Sequence, residues 1–344
     1  DGSNRARSIM QLTDYPWLTE PKNSVGKILP PALLIHGVEG IGKRALANYL
    51  AQSVLCEETS SVNDPCGKCP SCALFTADTH PDFKLLTNDD EDASSSRNDL
   101  GDTKKSKHII SVKAVRSLGT FCVTKPHRGH AKVIVIDPAE HLNQSASNAL
   151  LKNVEEPAEF LHFILVAKHK ERLLPTLLSR CLKVNVRPPD AQEAFRWVAT
   201  QIDGQCKDPY RQELSIALSG NAPLSSIRVI ADEDFFSNRE SILSLLSQNQ
   251  IDPFALATLC EKIEVPTLQR IIYALLHDLM FLNIQQDVAF HEDKKTELGR
   301  IKRSLSNKAF SRWLSLFNDY LKSASHPLNR RLALEALFLK WPQT

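Results

Sequence analysis

The sequence predicts an α/β domain built on a mainly parallel sheet, interrupted by a metal-binding insert and followed by an all-helical remainder. Three observations carry this. Short apolar runs alternate with helical patterns from Leu33 to Leu165, as in strands joined by crossover helices. Four cysteines crowd into "CEETSSVNDPCGKCPSC", Cys56 to Cys72. Beyond Pro188 and Pro189 the apolar residues recur at helical spacing with no convincing strand.

The bulk properties set the frame. The 344 residues are 42% hydrophobic and 24% charged, with a net charge of +2, and allow two or three domains. So even a charge balance argues against a stand-alone nucleic-acid binder, although a local basic patch is compatible with it. No apolar run approaches the roughly 18 residues of a membrane span. No secretory signal opens the chain, so the cytoplasm is the expected setting. Residues 1–9 are polar and are read as a tail outside the fold.

The first strand is "ALLIHG", and Gly42 to Leu55 is the helix behind it. Between them Gly37, Gly40 and Gly42 supply a tight turn and Lys43 a cation, the parts of a phosphate cradle. The next residue should be Ser or Thr, whose hydroxyl holds Mg²⁺; here it is Arg44. "DFKLL", Asp82 to Leu86, is the next strand, and the polar stretch at 87–107 is a disordered surface insertion. "KVIVID" is a buried strand ending in Asp137, placed to direct a metal ion. Hydrolysis would need a Glu immediately after it to orient water, but Pro138 follows, and Glu140 should point elsewhere. With two chemical parts missing, the site should not hydrolyse. Whether it binds phosphate or serves only as a structural turn stays open at this point.

"FLHFILVA", Phe160 to Ala167, and "LKVNV", Leu182 to Val186, complete the sheet. In the helical part Leu268, Ile271, Ile272, Leu275, Leu279 and Leu282 form one apolar stripe. Phe310, Trp313, Leu314, Phe317 and Leu321 form a second, and Leu334, Leu337, Phe338 and Trp341 a third. Such stripes are usually intramolecular core; faces for partner helices are the alternative.

Cys66, Cys69 and Cys72 make two overlapping C-x₂-C units, and Cys56 returns from the end of the preceding helix. Four sulfurs with no open position suit a tetrahedral structural Zn²⁺. Packed thiols and an iron–sulfur cluster are the alternatives. Cys122, Cys181, Cys206 and Cys260 read as core or spectators.

"KVIVIDPAEHLNQSASNALLKNVEEP", followed by "FILVAKHKERLLPTLLSRC", resembles the core of bacterial clamp-loader subunits of the AAA+ class. The four-cysteine insert behind the phosphate-loop helix is another of their marks. "YPWL" at Tyr15 to Leu18 and "HPDF" at His80 to Phe83 resemble the delta-prime family of DNA polymerase III clamp loaders. The similarity covers most of Met10 to Val186; beyond that it rests on helical pattern and on "GNAP", Gly220 to Pro223.

The resemblance implies a RecA-like AAA+ domain at 10–186 carrying a zinc module at 56–72, a small helical lid at 187–246 and a helical collar at 247–344. The departures from the family's motor subunits are Arg44 for Thr, Pro138 for Glu, Lys168 for a polar sensor, and Pro223 for an Arg reaching the γ-phosphate. Arg228 lies five residues beyond. They imply a subunit without ATPase activity, with ATP or ADP binding left open at the degenerate site formed by Gly37, Gly40, Gly42, Lys43, Arg44 and Asp137. "SRC", Ser179 to Cys181, is intact, and the resemblance makes Arg180 an arginine finger acting in a neighbour's site; a surface salt bridge is the bland alternative. The implied partners are gamma or tau motor subunits and the delta subunit and, through the complex, the sliding clamp and primed DNA. The implied process is DNA replication by the DNA-directed DNA polymerase holoenzyme. The rival assignments are an active AAA+ motor with variant residues and a zinc-dependent nucleic-acid-binding module.

Overall fold

The computed structural model describes residues 12–59, 64–88, 109–202, 208–248, 250–303, 307–323 and 329–341. The tail at 1–9, nearly all of the stretch at 87–107, and Cys206 lie outside them. The chain divides after Pro189 into two compact units.

The first unit holds a five-stranded sheet. Its strands are β1 (Ala32–His36), β2 (Phe83–Leu86), β3 (Lys132–Ile136), β4 (Leu161–Ala167) and β5 (Leu182–Asn185), in the spatial order β2-β3-β4-β1-β5. Every neighbouring pair is parallel, and every strand coincides with a predicted apolar run. The helices are α1 (Thr19–Val25), α2 (Lys43–Leu55), α3 (Pro70–Thr76), α4 (Val112–Ser117), α5 (Gly119–Val123), α6 (Gln144–Glu155) and α7 (Pro175–Leu178).

The central strands are continuous apolar runs because both faces are covered. On one face Leu34, Ile134, Ile136, Phe163 and Leu165 pack with Val115, Leu118, Leu150, Val154 and Leu177. The alternate residues Leu33, Ile35, Val133, Val135 and Ile164 are equally buried, and α2 packs along β1, β3 and β4. Since β3, β4 and β1 are adjacent and parallel, their carboxyl ends present Asp137, Lys168 and the glycine-rich turn side by side. That edge is where open α/β sheets hold ligands.

The second unit comprises α8 (Ala191–Gln201), α9 (Pro209–Leu218), α10 (Pro223–Ala231), α11 (Glu233–Leu246), α12 (Pro253–Lys262), α13 (Val265–Asn283), α14 (Lys295–Arg303), α15 (Asn307–Ser323) and α16 (Arg330–Phe338). Asp190, Asp208, Asp232, Asp252 and Asn329 cap α8, α9, α11, α12 and α16 through side-chain oxygens that accept first-turn N–H groups. Ala194, Val198, Ile202, Ile216 and Ile230 form a small core for α8 to α10. A larger one runs from Leu214 through Ile272, Leu275, Trp313 and Phe317 to Trp341. All three predicted stripes turn into this larger core, with Leu282, Leu314 and Leu321 at its margin, so they are intramolecular core.

Among the described residues, that core closes over the carboxylate of Asp278. Asp278 on α13 is fully buried and accepts the N–H groups of Ala289 (2.9 Å), Phe290 (3.0 Å) and His291 (2.8 Å). His291, also buried, adds its Nδ1 at 2.9 Å. The carboxylate thus replaces water for a stretch of backbone that belongs to no helix. No helix among the described residues is long and apolar enough to cross a membrane.

Candidate functional site

The glycine-rich turn is built by close approach. Gly37 has φ +151°, and a Cβ there would lie 2.3 Å from the Val186 carbonyl oxygen; no side chain fits. Gly42 is left-handed at φ +86° and caps α2. A Cβ on it would come within 3.3 Å of Leu18. Trp17 lies beside it: its indole N–H donates to the Ile41 carbonyl at 2.9 Å, and Tyr15 packs edge-on against its ring. The "YPWL" segment therefore fastens the turn from outside. An aromatic pair preceding such a turn was the available signal, but its contact partner could not be read from the sequence.

Lys43 is buried, and its Nζ donates to the Val38 carbonyl of its own turn at 2.7 Å. Burial pulls its pKa down, against the opposing pull of Asp137, Glu140 and Glu39. Arg44 is half-exposed and places Nε 3.1 Å from Asp137 Oδ2. Burial raises the Asp137 carboxyl above its ordinary value, while Arg44 and Lys43 hold it down. Glu140, which the sequence expects to point elsewhere, stays within electrostatic reach of Lys43 and Asp137, and its Oε1 accepts the Lys168 backbone N–H at 2.9 Å. The Lys168 ammonium reaches Glu39 on the turn at 3.2 Å. A magnesium site needs a hydroxyl at 44 and an available carboxylate at 137. Here a guanidinium lies against that carboxylate, and the residues do not fit Mg²⁺. In the second unit, Pro223 begins α10 and Arg228 stands in its last turn.

At the far end of α2 the four cysteines converge. The sulfurs of Cys56, Cys66, Cys69 and Cys72 all lie within 4.8 Å of one another, and Cys56 and Cys69 are 3.9 Å apart. A tetrahedron with metal–sulfur bonds of about 2.3 Å has edges near 3.8 Å. The amides of Lys68 and Cys69 donate to Cys66 Sγ at 3.4 and 3.3 Å, and that of Cys72 to Cys69 Sγ at 3.4 Å. Burial disfavours the Cys56 thiolate, but donors from Thr59, Cys66 and Glu58 outweigh it and bring the thiol to about 6. Burial and the neighbouring sulfurs push Cys72 the other way. Four sulfurs at this spacing, with no open position, are a donor set that fits a closed Zn²⁺ site. Cys122, Cys181 and Cys260 are buried and lie outside this group.

"HPDF" braces the same region. His80 Nδ1 accepts the Asp82 N–H at 3.1 Å, and its Nε2 lies 2.6 Å from Oγ of Ser71, which stands in α3 between Cys69 at the helix cap and Cys72. The Asp82 carboxylate accepts the N–H groups of His127 and Arg128 at 2.8 and 2.7 Å. The four residues therefore join α3, the start of β2 and the turn before β3.

Arg180 follows α7 and is partly exposed. Its Nη2 lies 2.7 Å from Glu155 Oε1 at the end of α6, and its Nη1 donates to the Thr176 carbonyl at 2.9 Å. It lies on the side of the unit marked by Pro30, Pro31, Glu156, Pro157 and Leu182, whereas Lys43 and Arg44 pair with the turn and with Asp137. The structure thus does not bring Arg180 together with the glycine-rich turn.

Residues 22–190 match the family model described as "DNA polymerase III, delta subunit". The "DNA polymerase III subunit delta'" of Pseudomonas aeruginosa is 30% identical over 95% of this chain and 97% of its own length. That of Yersinia pestis is 32% identical over 70% of this chain and 72% of its own. The "DNA polymerase III subunit tau" of Escherichia coli is 33% identical over 49% of this chain and 23% of its own length.

Proposed function

Because the chain belongs to the DNA polymerase III delta-prime family, we propose that it is the non-hydrolysing stator subunit of a clamp loader acting in the cytoplasm. It would work with gamma or tau motor subunits and a delta subunit to open the sliding clamp and place it on primed DNA. One observation carries this most directly. The residues that would hold Mg²⁺ are tied to one another through Arg44 and Asp137, while Arg180 stands intact and partly exposed beyond α7. Arg180 then serves as an arginine finger, stabilising the charge that develops on a neighbour's γ-phosphate. Its contact with Glu155 is an exposed ion pair, worth about 0–1 kcal/mol, so leaving it costs little when a phosphate is offered.

The four-cysteine group holds a structural Zn²⁺, whose part is to fix the insert rather than to do chemistry. The helical unit supplies a lid at 187–246 and a collar at 247–344 through which the sibling subunits assemble.

The test is single-turnover ATP hydrolysis by the reconstituted complex carrying Arg180→Ala or Arg180→Lys. Both variants should assemble normally and lose on the order of 10³–10⁵ in rate at the site this subunit serves. Lys should not rescue, because a point charge lacks the forked donors of the guanidinium. Equal rates at every motor site, with assembly intact, would reduce Arg180 to the partner of Glu155. Steady turnover by the isolated chain would instead make it a motor.

A further inference from the structure

We propose that Arg44 is a tethered substitute for the divalent cation, and that it is the residue by which this pocket rejects magnesium-nucleotide. In a working phosphate loop the residue after the lysine supplies a metal-bound hydroxyl, and an acidic residue at the end of another strand of the sheet completes the metal's surroundings. Here the same two positions hold each other. Arg44 Nε is 3.1 Å from Asp137 Oδ2, and the Asp137 side chain is only 19% exposed. The guanidinium satisfies a carboxylate that would otherwise sit in a half-closed crevice with a raised cost of ionisation. A hydrated Mg²⁺ would have to displace a cation that the chain itself supplies and cannot lose by dilution.

The rest of the pocket is balanced in the same way. Lys43, which should reach the β- and γ-phosphates, donates to the Val38 carbonyl. Lys168 bridges to Glu39 and covers Glu140 with its backbone N–H. The charged groups around the turn are therefore Lys43, Arg44 and Lys168 against Glu39, Asp137 and Glu140. These opposed charges weaken the field that draws a polyphosphate into such a turn. Of these exchanges only the one at Arg44 removes a metal ligand and blocks the remaining one together. A single substitution there should reopen the metal position without restoring hydrolysis, since Pro138 still supplies no water-orienting carboxylate.

The proposal rests on Gly37 to Lys43 being a phosphate loop. It does not rest on Arg180 or on assembly with sibling subunits, so binding by the isolated chain tests it separately from the clamp-loader assignment. The experiment is a fluorescence titration with N-methylanthraniloyl-ADP, in excess Mg²⁺ and in EDTA, of the wild type, Arg44→Thr, Arg44→Ala, and Arg44→Thr combined with Asp137→Asn. The wild type should show no gain from Mg²⁺. Arg44→Thr should bind the probe roughly tenfold or more tightly with Mg²⁺ than without it, and Asp137→Asn should erase that gain. Arg44→Ala, which removes the cation without adding a ligand, should show a smaller gain. It also serves as the test if the Thr variant does not fold. Probe binding by the wild type that Mg²⁺ strengthens roughly tenfold would overturn the proposal. So would folded Arg44 variants that gain no Mg²⁺-dependent binding.

Discussion

Replacing Asp278 by Ala should destabilise the helical unit by about 3–5 kcal/mol, because several buried N–H donors lose a charged acceptor together. The structure supports the upper part of that range. Truncation strands the N–H groups of Ala289, Phe290 and His291 together with the His291 ring. Each buried donor left without an acceptor costs about 1–3 kcal/mol, and the full sum is not reached because this non-helical stretch can open to water. Asp278→Asn keeps one acceptor oxygen and should lose about half as much.

Acid should act on the same residues. Burial lowers the His291 pKa and outweighs the hydrogen bond to Asp278, which favours the imidazolium; its Nε2 is buried without a partner. The unfolded chain therefore takes up a proton first. The associated stability is complete above about pH 6.5 and is lost as pH falls below it. Burial disfavours the Asp278 carboxylate, but His291 and the amides of Ala289 and Phe290 outweigh it and hold its pKa below the ordinary value. That contribution is present above about pH 4 and is lost as pH falls through the lowered pKa. Arg239 and Asp293 also face His291 and pull in opposite directions. Urea unfolding followed by tryptophan fluorescence suits the measurement, since Trp313 and Trp341 lie in this core. A loss below about 1 kcal/mol for Asp278→Ala, within the range of ordinary substitutions, would refute the reasoning.

Purified, unstripped protein should carry one zinc ion per chain by elemental analysis, and Cys69→Ser should lose the metal and loosen the insert while the sheet still folds; iron with visible absorption would replace zinc by a cluster. Lys43→Ala should leave clamp loading by the reconstituted complex unchanged, because Nζ is spent on Val38; a marked loss in a loading assay would show that nucleotide at this site matters. Gly37→Ala should cost at least about 3 kcal/mol in thermal unfolding, from strain and collision together, because its Cβ would meet Val186. Gly26→Ala, at φ +84° and ψ −168° with open space around it, should cost about 1–3 kcal/mol, from backbone strain alone.

The sheet was legible because strands covered on both faces have little choice of residue: β1, β3 and β4 are apolar at nearly every position. The cysteine group was legible because thiols in a polar insert have no core to fill. Arg44 could be recognised as a lost ligand, but its salt bridge could not be foreseen, since the position of Asp137 depends on how β3 and β4 pair across the sheet. Asp278 was illegible for a related reason. Helical spacing sorts polar residues to the outside, and only the return of Ala289 to His291 makes a buried carboxylate tolerable there. "YPWL" and "HPDF" stood out as words, but their meaning lies in contacts with Ile41 and Ser71 that no local pattern encodes.

The helix α2 has a mechanical consequence. Its 13 residues span about 20 Å at 1.5 Å per residue, from Lys43 at the turn to Leu55 beside Cys56, and its middle is buried on all sides from Ala45 to Ser53. At one end Arg44 and Trp17 tie it to β3 and to the amino-terminal segment through Asp137 and Ile41. At mid-length Tyr49, with Lys22 of α1, holds Asp64 of the insert, and past the far end Cys56 joins the gathered sulfurs. A beam clamped at both ends and along its length has very low compliance. It cannot tilt in response to what occupies the turn, and a load applied at either end is passed on instead of being absorbed by bending.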